Sequence, residues 1–99
     1  MKYDIVSAGF SLVELPRKER GVPFSVAGEF VGPFPSADTL ILLDVAARLG
    51  KKCCWLGTVA NNPFGKVVYD RLLKDGIDVS YIKKLDTFCT PPVFVRYDL

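Results

Sequence analysis

Histidine is absent from the 99-residue sequence. That removes Ser-His and Cys-His nucleophilic schemes and histidine metal ligation in one step. Cysteine is scarce, with Cys53, Cys54 and Cys89 only. The adjacent pair alternates faces in an extended strand, and no C-x-x-C spacing occurs. Neither a disulfide framework nor a zinc site is expected, and all three read as buried, inert thiols. An excess of one charge is lacking too: 13 Lys and Arg against 11 Asp and Glu give +2, spread without blocks. This is no electrostatic footprint for nucleic acid. The longest nearly apolar run, Leu40 to Ala47, is broken by Asp44 and too short to span a bilayer. Met1-Lys2-Tyr3-Asp4 leads directly into a strand-like run, without a signal-peptide pattern. A cytoplasmic protein with neither membrane nor nucleic-acid partner is expected.

What is present is apolar: 49% hydrophobic residues, 24% charged, and a mean hydropathy of +0.24. That excludes an intrinsically disordered chain. A chain this short buries roughly 60–68% of its unfolded surface. So apolar a composition therefore suits a piece of a larger fold, or a chain that hides surface against another.

The pattern along the chain is α/β. Ile5 to Ala8 reads as a buried strand ending at Gly9, and Phe10 to Leu15 continues extended to Pro16. Arg17 to Gly21 is a charged turn. Val22 to Val31 alternates loosely and predicts one or two short exposed strands, with Gly28 at a bend or bulge. After the rigid Gly32-Pro33-Phe34-Pro35, Ser36 is the expected N-cap of a helix over Ala37 to Leu49. That helix carries Asp38 in its first turn and is apolar nearly all round, so burial on most faces is expected. Gly50 is its stop.

Cys53 to Leu56 predicts a central strand turning at Gly57. Asn62 as N-cap and Pro63 at the first helical position open a second helix that Gly76 ends. Phe64, Val67, Val68, Leu72 and Leu73 form its apolar face, with an Asp70–Lys74 pair opposite. Val79 to Ile82 reads as a strand, Lys83 to Cys89 as a polar loop, and Val93 to Tyr97 as a last strand. Strands separated by helices point to βαβ units and a parallel sheet. The sequence stops directly after a strand, short of what a doubly wound sheet needs.

The stretch from Gly57 to Gly65, GTVANNPFG, followed by LLKDGIDVS over Leu72 to Ser80, resembles the ribokinase/PfkB family of sugar kinases. Those kinases read G-x-V-G-x-D-x-F-G and then L-x-x-x-G-V-D-x-S. Ala47-Arg48-Leu49-Gly50 resembles their A-x-L-G. Gly9 to Glu14 resembles their first-strand G-x-x-x-x-D/E, and Thr90 stands where they have a strand-opening threonine. The resemblance covers essentially all 99 residues, but only the N-terminal third of a typical family chain. It implies a ribokinase-like layered sandwich with a small β lid, whose strands fall within 10–31 and 90–99. The family's Gly-Gly aligns on Ser36-Ala37, its substrate-facing Asn on Ile41, its second turn glycine on Ala60 and its Asp on Asn62.

The resemblance implies an ATP-dependent transfer of the γ-phosphate to a sugar or sugar-acid hydroxyl, with ATP and Mg2+ in the intact enzyme. The G-A-G-D-like motif bearing the catalytic base is not in this sequence, nor is a P-loop or G-x-G-x-x-G. Thus no catalytic residue, and neither ATP nor Mg2+, is expected on this chain alone.

For sugar binding the candidates are Ser11, Glu14, Ser36, Ala37, Asp38 and Arg96. Glu14 is either a hydroxyl acceptor or a solvated loop acid. Ser11 either meets the sugar or satisfies backbone. Asp38 is a hydroxyl acceptor or a helix-dipole acid. Arg96 is a fork for an acidic sugar's carboxylate or an ordinary surface residue. Phe24, Val26, Phe30, Val93 and Phe94 are the lid candidates, and a homodimer through the lid strands is implied. The alternative is a non-catalytic binding or assembly module that keeps the kinase half-fold.

Overall fold

The computed structural model describes residues 2–98. Eight elements follow in chain order: β1 (Ile5–Gly9), β2 (Leu12–Pro16), β3 (Phe34–Ser36), α1 (Asp38–Arg48), β4 (Cys53–Ala60), α2 (Pro63–Lys74), β5 (Lys83–Leu85) and β6 (Pro92–Val95). They form two three-stranded sheets, ordered β1-β4-β5 and β3-β2-β6. The first is parallel throughout, with Ile5 opposite Cys53 and Thr58 opposite Lys83. The second is mixed: β2 runs antiparallel to β3 and parallel to β6.

Both helices lie on one face of the parallel sheet. Alternation along β4 sends Cys53, Trp55 and Val59 to that face. There they meet Leu40, Leu43 and Ala46 of α1 and Val68 and Leu72 of α2, joined by Val13 from β2 and by Ile77. Trp55 and Leu43 are among the largest fully buried side chains. Each fully buried side chain of this kind contributes about 1.5–3 kcal/mol. The two sheets are joined where the buried Thr90 hydroxyl accepts from the Ala60 amide at 2.9 Å.

The second helix forms as its sequence specifies. Asn62 accepts from the Gly65 amide at 3.0 Å, and Pro63 occupies the first turn. Glycine is required at position 65, because an added Cβ would collide with the Ala60 carbonyl. Gly50 and Gly76 adopt positive φ (90° and 75°) just past the two helices, ending each as expected.

Several expectations are corrected. Segment 22–31 forms no strand; its single bridge joins Phe30 to Arg17. The chain is pinned there by Arg17, whose Nη2 donates to the Val26 carbonyl at 2.6 Å and whose guanidinium lies 5.1 Å from the Phe30 ring centroid. Gly28 leaves room for that guanidinium. Phe34–Ser36, expected only as a rigid approach, is β3, because it pairs with β2. The strand after α2 is Lys83–Leu85 rather than Val79 to Ile82, for its partner β4 extends to Ala60 beyond the expected Gly57 turn. In α2, Leu73 is exposed, and Asp70 pairs with Lys66, not Lys74. Cys53 and Cys54 are buried, and burial raises both thiols; Cys89 is exposed.

Helix α1 departs most. Leu40, Leu43 and Ala46 are buried, yet Ile41, Leu42 and Val45 are 52%, 54% and 52% exposed. It is buried on one face only. No helix among the described residues is long and apolar enough to cross a membrane.

Candidate functional site

In an open parallel sheet, ligands bind outside the carboxyl ends of the strands. At the carboxyl end of β1, a cleft of about 310 Å³ opens between that strand and the start of α1. Ala8, Gly9, Phe10 and Leu12 line one side, and Ala37, Asp38 and Thr39 line the other. The register Leu12–Ser36 makes the cleft continuous with one face of the β3-β2-β6 sheet. Alternation puts Glu14 on that face with Leu12 and Ser36.

Ser36 is not the N-cap of α1. Pairing with Leu12 holds it in β3, and its Oγ donates to the Glu14 carboxylate at 2.8 Å. This bond is charge-assisted and part-buried, so it orients both side chains. Glu14 is therefore a half-buried strand residue, not a solvated loop acid. The N-cap is Ala37, which makes no side-chain cap bond. Its backbone sits at φ 137°, ψ 152°, a region that an L side chain occupies only at a cost of about 1–3 kcal/mol. The resemblance expects a glycine at this position, and the backbone keeps glycine's geometry under an alanine side chain.

Asp38, the first residue of α1, is exposed at the cleft, where the helix dipole favours its charge. Ser11 is fully buried and spends its hydroxyl on the Thr58 carbonyl, at 3.4 Å. Arg96 lies apart, ion-paired with Asp98 at 3.3 Å. Of the candidates the structure thus places Ala37 and Asp38 in the cleft, and pairs Ser36 with Glu14 on the adjoining β3-β2 strands, with Ser11 buried and Arg96 elsewhere. Sequence reasoning missed Thr39. Its Oγ1 is buried without a partner among the described residues and sits where a Cβ on Gly9 would approach to 2.9 Å. No spacing or motif marks that threonine; only the close approach of α1 to β1 reveals it.

A second cleft of about 300 Å³ lies at the carboxyl end of β4, beside Asn61, Asn62, Lys66, Tyr69 and Lys84. Its charged groups are engaged internally, Lys66 with Asp70 and Lys84 over the Tyr69 ring at 3.7 Å. Among the described residues no group of three or more carboxylates or thiols is placed to hold a metal ion.

No protein-family model matches the chain. A curated relative, 5-dehydro-2-deoxygluconokinase of Clostridium perfringens, is 34% identical over 83 residues, which is 84% of this chain and 24% of the relative. Among solved structures, a protein described as ribokinase II from E. coli matches with a TM-score of 0.89 at 35% identity, over 94% of this chain and 30% of that one. The same E. coli protein in complex with ATP and Mg2+ matches at 0.88 and 36%. A sugar kinase from Pyrococcus horikoshii matches at 0.83 and 28%, over 92% of this chain and 31% of that one. This chain therefore spans less than a third of the length of these relatives. With its sequence and its two-sheet fold both matching along most of their extent, the chain belongs to the ribokinase/PfkB family of carbohydrate kinases.

Proposed function

We propose that this chain provides the acceptor-binding cleft and lid of an ATP-dependent carbohydrate kinase, which transfers the γ-phosphate to a sugar or sugar-acid hydroxyl. The observation that carries this reading is the cleft itself. It sits at the carboxyl end of β1 in a chain similar to kinases, one of them solved with ATP and Mg2+. Glu14 and Asp38 accept hydrogen bonds from substrate hydroxyls, while Ser36 holds Glu14 in orientation. The strained turn at Ala37 keeps the first amides of α1 free of a side-chain cap and open to a substrate oxygen.

In the intact protein, ATP and Mg2+ supply the phosphoryl group and its charge stabilisation. In this reading the part of this chain is to bind and orient the acceptor. The β3-β2-β6 sheet with segment 22–31 is the lid. Phe24 stacks on Phe30 at 6.2 Å, and Phe30 meets Phe94 edge-on at 5.2 Å. Its exposed aromatic surface is where a second copy pairs to form a homodimer. A cytoplasmic setting, where ATP is abundant, suits this reading.

The test is an amide-resolved NMR titration of the 99-residue chain with D-fructose and D-gluconate. Shifts are expected at Gly9, Asp38 and Thr39. The Asp38→Ala variant is expected to bind about ten-fold more weakly, as befits loss of a charged hydrogen bond worth ~1.5 kcal/mol. Shifts scattered away from the cleft, or none, would sink the proposal.

A further inference from the structure

β1 ends at Gly9, paired with Gly57, and β2 opens at Leu12, paired with Ser36. Only Phe10 and Ser11 carry the chain from one sheet to the other, and they divide between inside and outside. Ser11 is fully buried, with its hydroxyl on the Thr58 carbonyl. Phe10 is 69% exposed and lines the cleft at the carboxyl end of β1, beside Asp38 and Thr39. An aromatic ring left in water forgoes one of the larger burial gains open to a side chain. The lid aromatics find partners, Phe24 on Phe30 and Phe30 on Phe94. Phe10 enters no such pair among the described residues. Strand pairing fixes its backbone on both sides, so covering the ring costs little more than the freedom of its few side-chain torsions.

The wall of the cleft thus sets an apolar ring beside polar groups. Asp38 is an exposed acceptor, and the Thr39 Oγ1 is buried without a partner among the described residues. A ring-closed sugar carries the matching surface: hydroxyls around its rim, and C–H groups gathered in one patch on a ring face. An open-chain polyol has the same hydroxyls but no such face, because its carbon chain rotates freely. We infer that Phe10 is the platform on which the C–H face of a ring-closed sugar rests, so that the cleft selects cyclic acceptors over open-chain ones. Contact removes apolar area of both partners from water, and it sets weakly positive C–H groups against the negative face of the ring. The inference rests on the acceptor-site reading for the nature of the ligand. Phe10 binds and orients the sugar and takes no part in phosphoryl transfer.

The experiment titrates the 99-residue chain, by amide-resolved NMR, with D-fructose and with D-glucitol. The first is predominantly ring-closed in water; the second is its uncharged open-chain counterpart with the same number of carbons. D-fructose is expected to bind roughly five- to ten-fold more tightly. Its C–H protons should move upfield, as protons above an aromatic face do. Phe10→Ala should bring the two compounds within about two-fold of each other, mainly by weakening D-fructose, and Phe10→Tyr should restore the preference. Both variants should keep the parent's urea midpoint, because the ring is exposed. Equal or tighter binding of D-glucitol by the parent chain, or a preference that survives Phe10→Ala, would overturn the inference and leave the acceptor cleft standing. Absence of shifts at Gly9, Asp38 and Thr39 with either compound would overturn both readings.

Discussion

Helices α1 and α2 are nearly equal in length and lie on the same sheet face, yet they are held by different means. α2 is specified locally. It has an asparagine cap, a proline in the first turn, and a face divided between Val68 and Leu72 inside and Lys66 and Asp70 outside. α1 has no side-chain cap, starts from a backbone that disfavours its own residue, and presents Ile41, Leu42 and Val45 to solvent. The difference falls where the acceptor site is proposed. Local rules are satisfied in the helix that supports the fold and broken at the start of the helix that lines the cleft. Strain persists where surrounding structure over-determines it. Here β3 on one side and the α1 core contacts on the other leave residue 37 no alternative.

The comparison is broken most severely in the core. Leu43→Ala removes the fully buried anchor of α1 and should cost about 2–5 kcal/mol. Because α1 has no cap to compensate, its amides should lose exchange protection ahead of those of α2. Uniform loss across both helices would contradict the separate footing assigned to them.

A smaller change should go the other way. Ala37→Gly is expected to stabilise by about 1 kcal/mol, since relief of the positive-φ strain outweighs the extra unfolded-state entropy of glycine. A urea midpoint at or below the parent's would show that the turn is not strained. In α2, Asn62→Ala should destabilise by about 1 kcal/mol through loss of the bond to the Gly65 amide.

The smallest expected effect concerns the charges that tie the helices together. Arg48 and Arg71 both face Asp44 and Asp75, at 3.0 to 3.8 Å. Hydrogen bonding with Asp75 holds the Asp44 carboxyl below its ordinary 3.8, aided by Arg48 and Arg71 and opposed by burial. Burial first, then the Asp44 carboxylate, pushes Asp75 above 3.8. The stability from Asp44 is therefore present above pH 3.8 and lost as pH falls below it. Asp75 works in the opposite sense, costing stability as pH rises through its raised value. Urea midpoints on either side of pH 3.8 should show Asp44→Asn with less loss on the acid side, and Asp75→Asn with less decline on the alkaline side. Exposure of the arginines keeps both effects small.

Much of the molecule was legible in the sequence. Asn62, Pro63, Gly65 and Gly76 carry local signals that depend only on neighbours within one helical turn, so α2 and its limits could be read directly. The family motifs lie on those same residues. Less legible were β3 and β5, three-residue strands that exist only because β2 and β4 lie beside them. Segment 22–31 shows the converse. Its alternation suggests strands, but Arg17 fastens it by one side-chain bond and a ring contact.

Of the candidate site, Glu14 and Asp38 were chosen for their chemistry, which a sequence displays. Thr39, the Ser36–Glu14 bond and the removal of Arg96 to the periphery depend on distances between elements, which it does not. The sequence alone determined the α/β class, the kinase kinship and the apolar excess, because composition, periodicity and short motifs are local properties of the chain. Only the tertiary structure decided which apolar residues remain bare and which backbone turn is strained, because burial and strain arise from elements meeting across dozens of residues.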